Sequence, residues 1–138
     1  MSWLAYALTT VVLWTGWSFI GVLALRHVSA AQAVLVFGIS TVIVGAVSLV
    51  LGGRETSWAP SGVGLALVSA VCGSVGMATF YLALDHGKAS SVAPVIGIYP
   101  AFVALLAVGF LAERLTALQA VGVALAVTGV VLVGAGGS

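Results

Sequence analysis

The sequence predicts an all-α polytopic membrane protein, a bundle of five transmembrane helices, and three observations carry that prediction. Only 5% of the 138 residues are charged, 62% are hydrophobic and the mean hydropathy is +1.31, whereas a soluble domain carries about a quarter charged residues. All seven charges (Arg26, Arg54, Glu55, Asp85, Lys88, Glu113 and Arg114) fall at the breaks between apolar runs, because a charge at the bilayer centre is costly. The runs, at about 3–25, 31–51, 61–84, 92–112 and 118–135, each approach the roughly 20 residues that a helix needs to cross a hydrocarbon core of about 30 Å. A membrane barrel would show alternating strands of about ten residues, and these runs are continuous and rich in Ala, Leu, Val and Gly.

The first run opens on Met1-Ser2-Trp3, without Lys or Arg, and is too long for the apolar core of a signal peptide, so it reads as a retained span. At 3.6 residues per turn, Trp3, Tyr6, Thr10, Trp14, Trp17 and Gly21 share an arc of about 80°. Trp3 suits the aromatic belt at the membrane surface. Thr10, Trp14 and Trp17 lie deeper, where they either pack on neighbours and lipid or wall a cavity whose rings hold a flat or amphipathic solute.

The second helix starts on a capping box, Ser29 with Gln32, in which hydroxyl and amide satisfy orphan backbone donors. It aligns Gly38, Thr41, Gly45 and Ser48. The connection that follows, Gly52 to Ala59, is the longest and holds Arg54 and Glu55. Pro60 fits the first turn of the third helix, where its missing N–H costs nothing. Ser69, Gly73, Gly76 and Phe80 align along that helix, and the lone Cys72 within it reads as a small packing residue. Such small-residue seams let helices approach closely or slide.

The fourth run is capped by Ser90 or Ser91 ahead of Pro94. It carries Pro100 well inside it, where the ring removes a hydrogen bond and leaves the Ile96 carbonyl without its usual donor. A bent helix results, with Gly97 and Pro100 as hinge and the Tyr99 hydroxyl beside the break. Transporters place such breaks where backbone lines a cavity, while a kink that only improves packing is the alternative. The fifth helix starts on a second capping box, Thr116 with Gln119, and aligns Gly122, Ala126 and Gly129. Short connections make sequential helices antiparallel and predict one domain over 1–138.

Lys and Arg set topology, and here they tie: Arg26 and Lys88 on one side, Arg54 and Arg114 on the other. The tie permits insertion in both orientations. No ionisable side chain occupies the middle of a span, which argues against proton antiport through a carboxylate buried in the first helix. Asp85 and His86, at the end of the third, are the candidate coupling pair, with a solvated loop pair beside Lys88 as the alternative. No metal-ligand spacing, paired carboxylates or phosphate-cradling glycine loop points to an enzyme, a metal or a cofactor, and a net charge of +1 without a basic cluster points away from nucleic acid.

The run Tyr81-Leu82-Ala83-Leu84, then Ala89-Ser90-Ser91-Val92-Ala93-Pro94, Tyr99-Pro100, and Ala112-Glu113-Arg114-Leu115-Thr116 followed by Gln119, Gly122 and Gly129, resembles the EamA-type domains of the drug/metabolite transporter superfamily. The opening, from Trp3 to Trp14-Thr15-Gly16-Trp17, is similar to that domain's first helix. Larger members resemble two such five-helix units in tandem, the second inverted. The resemblance implies an antiparallel homodimer that carries small metabolites or drug-like solutes, with the site near the midplane of the bilayer and Glu113 and Arg114 in a structural role. The expected function is alternating-access export or facilitated diffusion in the plasma membrane, with Thr10, Trp14, Trp17, Tyr81 and Tyr99 on the substrate. A lipid-linked metabolite flippase, or a non-transporting subunit packed on a larger partner, is the alternative.

Overall fold

The structure, a computed structural model, describes residues 3–52 and 59–136; Arg54 and Glu55 of the longest connection lie outside them. Every element among the described residues is a helix: α1 (Trp3–Ala24), α2 (Ala30–Leu51), α3 (Pro60–His86), α4 (Ala89–Ile96), α5 (Tyr99–Phe110) and α6 (Ala117–Gly136). Taking α4 and α5 as one interrupted span, five spans of 20 to 27 residues are long and apolar enough to cross a membrane. At 1.5 Å per residue a 22-residue span measures about 33 Å, matching the hydrocarbon thickness. Large side chains such as Val42, Leu51, Leu65, Phe110 and Leu118 point outward, which is tolerable only where the surroundings are themselves apolar.

The helix starts have local causes. Ser29 donates its backbone N–H to Gln32 Oε1 at 2.9 Å and accepts the Gln32 N–H on Oγ at 3.3 Å. Thr116 and Gln119 repeat the exchange at 2.8 and 3.3 Å. Pro60 is the first residue of α3. Helix α4 starts differently from the expectation: Lys88, in extended conformation and with no side-chain cap, precedes Ala89, so Ser90 and Ser91 lie inside the first turn. The N–H groups of Ser91 and Val92 both reach the Lys88 carbonyl at 2.9 Å, which starts the helix without a hydroxyl.

The chain divides into two compact units, residues 1–86 and 87–138. In the first, α3 packs against both α1 and α2. Its buried positions, Gly21, Ala30, Tyr81 and Leu84, gather at the end where α1 and α3 finish and α2 begins. In the second, α6 packs against α4 and α5, and the methyl Cγ2 of Val95 lies 3.8 Å from where a Cβ on Gly134 would stand.

Candidate functional site

The first unit holds an aromatic cluster. Trp17 of α1 stacks on Phe80 of α3, with ring centroids 5.1 Å apart and planes inclined by 28°. Tyr81 meets the same indole edge-on at 6.0 Å and Phe37 of α2 meets it at 5.8 Å. Three helices thus meet on one ring, each contact worth about 0.5–1.5 kcal/mol beyond the area buried. Gly21, one turn on from Trp17, makes the approach possible: a Cβ there would sit 3.4 Å from Tyr81 Cε1, and Tyr81 is only 5% exposed. The indole nitrogen of Trp17 is wholly shielded and has no hydrogen-bond partner.

Two other residues of helix 1 are expected at the site, Thr10 and Trp14. Trp14 is 55% exposed. The Thr10 hydroxyl donates to the Tyr6 carbonyl one turn back at 3.0 Å, so its proton is already engaged and only its lone pairs are available to a solute. Phe37 and Phe80 were not singled out as site residues from the sequence. Their signal was present all the same, Phe80 beside Tyr81 and Phe37 beside the Gly38 seam.

Asp85 and His86 occupy the last turn of α3, both exposed. His86 Nδ1 lies 2.8 Å from the Leu82 carbonyl oxygen. A carbonyl only accepts, so Nδ1 is the donor in this contact.

The second unit contains the interrupted span. The break falls at Gly97 and Ile98, ahead of Pro100, which stands in the first turn of α5. Pro100 has no N–H to give the Ile96 carbonyl, so a continuous helix would lose that bond. The backbone tightens instead: Gly97 N–H reaches Ala93 O at 2.9 Å, Ile98 N–H reaches Val95 O at 3.4 Å, and Ala101 N–H reaches Ile98 O at 3.0 Å. The ladder passes from four-residue to three-residue steps, a local 3₁₀ geometry. Gly97 suits the turn because a Cβ would lie 3.1 Å from the Pro94 carbonyl oxygen. The break sits about 12 Å along a 22-residue span that is long and apolar enough to cross a membrane. Tyr99 opens α5 and is half-exposed.

A shallow groove of about 440 Å³ on the same unit is lined by Leu105, Leu115, Ala120, Val123, Ala124, Val127 and Thr128. It contains none of the expected site residues, and its one hydroxyl, on Thr128, donates to Ala124 O at 2.9 Å. Such a surface fits hydrocarbon, not a polar solute. Among the described residues no group of three His, Cys, Asp or Glu is placed to hold a metal ion. Glu113 does close the preceding helix, through its backbone: its N–H bonds the Ala107 carbonyl at 3.3 Å while Ala112 takes a left-handed φ of 54°.

Five spans long and apolar enough to cross a membrane, with bulky apolar side chains turned outward and one span interrupted at Gly97 and Ile98, define a multi-pass membrane protein. The chain belongs to the EamA-like transporter family, whose profile matches residues 1–135. It is also similar, at 42% identity over 67 residues, to an uncharacterized protein of Methanocaldococcus jannaschii; the match covers 49% of this chain and 49% of that protein. The chain therefore matches about half the length of this curated relative. No solved structure matches it.

Proposed function

We propose that the protein carries small uncharged or zwitterionic solutes across the plasma membrane by alternating access, and that the working form is an antiparallel pair of five-helix chains. The observation that carries this reading is the interruption of the fourth span at Gly97 and Ile98. A helix broken inside the hydrocarbon layer exposes backbone polar groups, which is stable only where they face protein or a water-filled cavity, and it provides a bending point for an access change. Trp14, Trp17, Tyr81 and Tyr99 supply ring faces to the solute, and Gly97 and Pro100 form the hinge.

Two further features support pairing. Lys and Arg tie across the two sides, which leaves neither orientation favoured. At Gly38, Gly45, Gly73, Gly76, Gly122 and Gly129 an added Cβ would meet nothing within 4 Å, so these seams are free to seat another helix.

Reconstituted liposomes, assayed for uptake over a panel of amino acids, nucleobases and uncharged aromatic compounds, test the transport reading. Flux of at least one class above protein-free vesicles is expected, and none in correctly assembled protein overturns it. Flux measured with and without a pH gradient separates facilitated diffusion from proton coupling through Asp85 or His86. For the antiparallel pair, a C-terminal tag probed from each side of the membrane is expected at both faces; a single orientation throughout rules the pair out.

A further inference from the structure

Almost every buried indole N–H in a folded protein finds an acceptor, and Trp17 Nε1 has none although its surroundings shield it completely. The neighbours explain why. Phe80 covers one face of the ring, and Tyr81 and Phe37 approach it from other directions. The donor is also held in place, because Gly21 seats the Tyr81 ring against α1.

We infer that Trp17 Nε1–H is the specificity-determining donor of the solute site, and that it selects flat, uncharged aromatic solutes carrying a hydrogen-bond acceptor, a ring nitrogen or a carbonyl oxygen. The inference rests on the transport reading and names its substrate class. The cluster in this structure is the closed form, in which Trp17, Phe80, Tyr81 and Phe37 stack on one another. When it opens, the same ring faces take a planar solute and the indole N–H finds its acceptor on that solute. Charge is disfavoured, because no ionisable side chain other than the Tyr81 phenol belongs to the cluster and Asp85 lies a full turn beyond it. A solute of the same shape without an acceptor leaves the donor unsatisfied, which lowers its affinity by about fivefold to a hundredfold.

Quinoline and naphthalene make the test, since they share a shape and differ by one ring nitrogen. Titrated into the purified full chain in micelles with ¹⁵N-labelled indoles, quinoline is expected to move the Trp17 side-chain cross-peak downfield and to bind at least fivefold more tightly than naphthalene. Trp17→Phe, which keeps an aromatic ring and assigns the peak, is expected to bind both equally. Equal binding by the unmodified protein, or a preference for quinoline that survives Trp17→Phe, overturns the inference, and the cross-peak measurement on the unmodified chain holds even if the variant folds poorly. If quinoline leaves the Trp17 peak in place while liposomes carry another solute, this donor role is wrong and transport stands. Absence of flux for every solute removes the transport reading itself.

Discussion

Gly21 offers the sharpest test of the packing, because two substitutions there have opposite predicted signs. Its missing Cβ would lie 3.4 Å from Tyr81 Cε1, 3.8 Å from the phenol oxygen and 4.0 Å from Cζ. All three are ordinary van der Waals distances, so one methyl fits. Gly21→Ala also gains helix propensity, about 0.8–1.0 kcal/mol, and is expected to be neutral or stabilising by up to about 1 kcal/mol. Gly21→Val adds two carbons beyond the methyl, into space that Tyr81 fills. The ring is 5% exposed and held against Trp17 and Phe80, so it has nowhere to move without breaking its edge-on contacts. Overpacking of that kind costs about 1–3 kcal/mol, which separates the two variants by about 1–4 kcal/mol. Unfolding by SDS in mixed micelles, followed by far-UV circular dichroism, measures the separation, and near-UV dichroism reports the ring geometry. If Gly21→Val equals Gly21→Ala in stability and keeps the near-UV spectrum, the close approach of α1 and α3 at Tyr81 is refuted.

Ala112 holds a left-handed φ of 54° at the end of α5, a conformation costing a residue with a Cβ about 1–2 kcal/mol. Ala112→Gly is therefore expected to raise stability by up to about 1 kcal/mol in the same SDS titration, and a loss of stability contradicts the assignment. Ser29→Ala removes the hydroxyl that accepts the Gln32 N–H and should cost about 1 kcal/mol, with Thr116→Ala behaving alike; no change in either places the caps elsewhere. Pro100→Ala restores an N–H for the Ile96 carbonyl. It is expected to leave the protein folded and to lower solute flux by joining α4 to α5, whereas unchanged flux removes the break from the transport cycle.

Where a feature depends on neighbours in the chain, the sequence alone was a good guide. The capping boxes at Ser29 and Thr116 are closed exchanges within four residues, and Pro60 needs only its own ring to favour a helix start. Helix α4 shows the limit even of local reasoning. A search for hydroxyl caps chooses Ser90 or Ser91, but Lys88 begins the helix because its extended backbone and free carbonyl suffice. Gly97 and Pro100 are legible as the place where the fourth run bends, and the helices end and restart between them at Gly97 and Ile98, since a proline accommodates its missing N–H best by opening a new helix. The aromatic arc of α1 was visible as a direction. Which of its rings would meet a partner was not, because that depends on Gly21 admitting Tyr81, on Phe80 following it, and on Phe37 arriving from α2.

The hydroxyls bear on how such a chain is made. Thr9, Thr10, Thr15, Thr41, Ser48 and Thr128 each donate to a carbonyl one turn back on the same helix. A span of this kind reaches the bilayer with these protons already matched, so the insertion machinery can release it singly, without waiting for a companion and without a polar face to dictate which end leads. Trp17 is different, for its N–H is sealed from every acceptor only after α2 and α3 close around it. Biogenesis of this protein is then expected to separate into an insertion stage indifferent to order and direction, and a later assembly stage that Trp17 fluorescence can time.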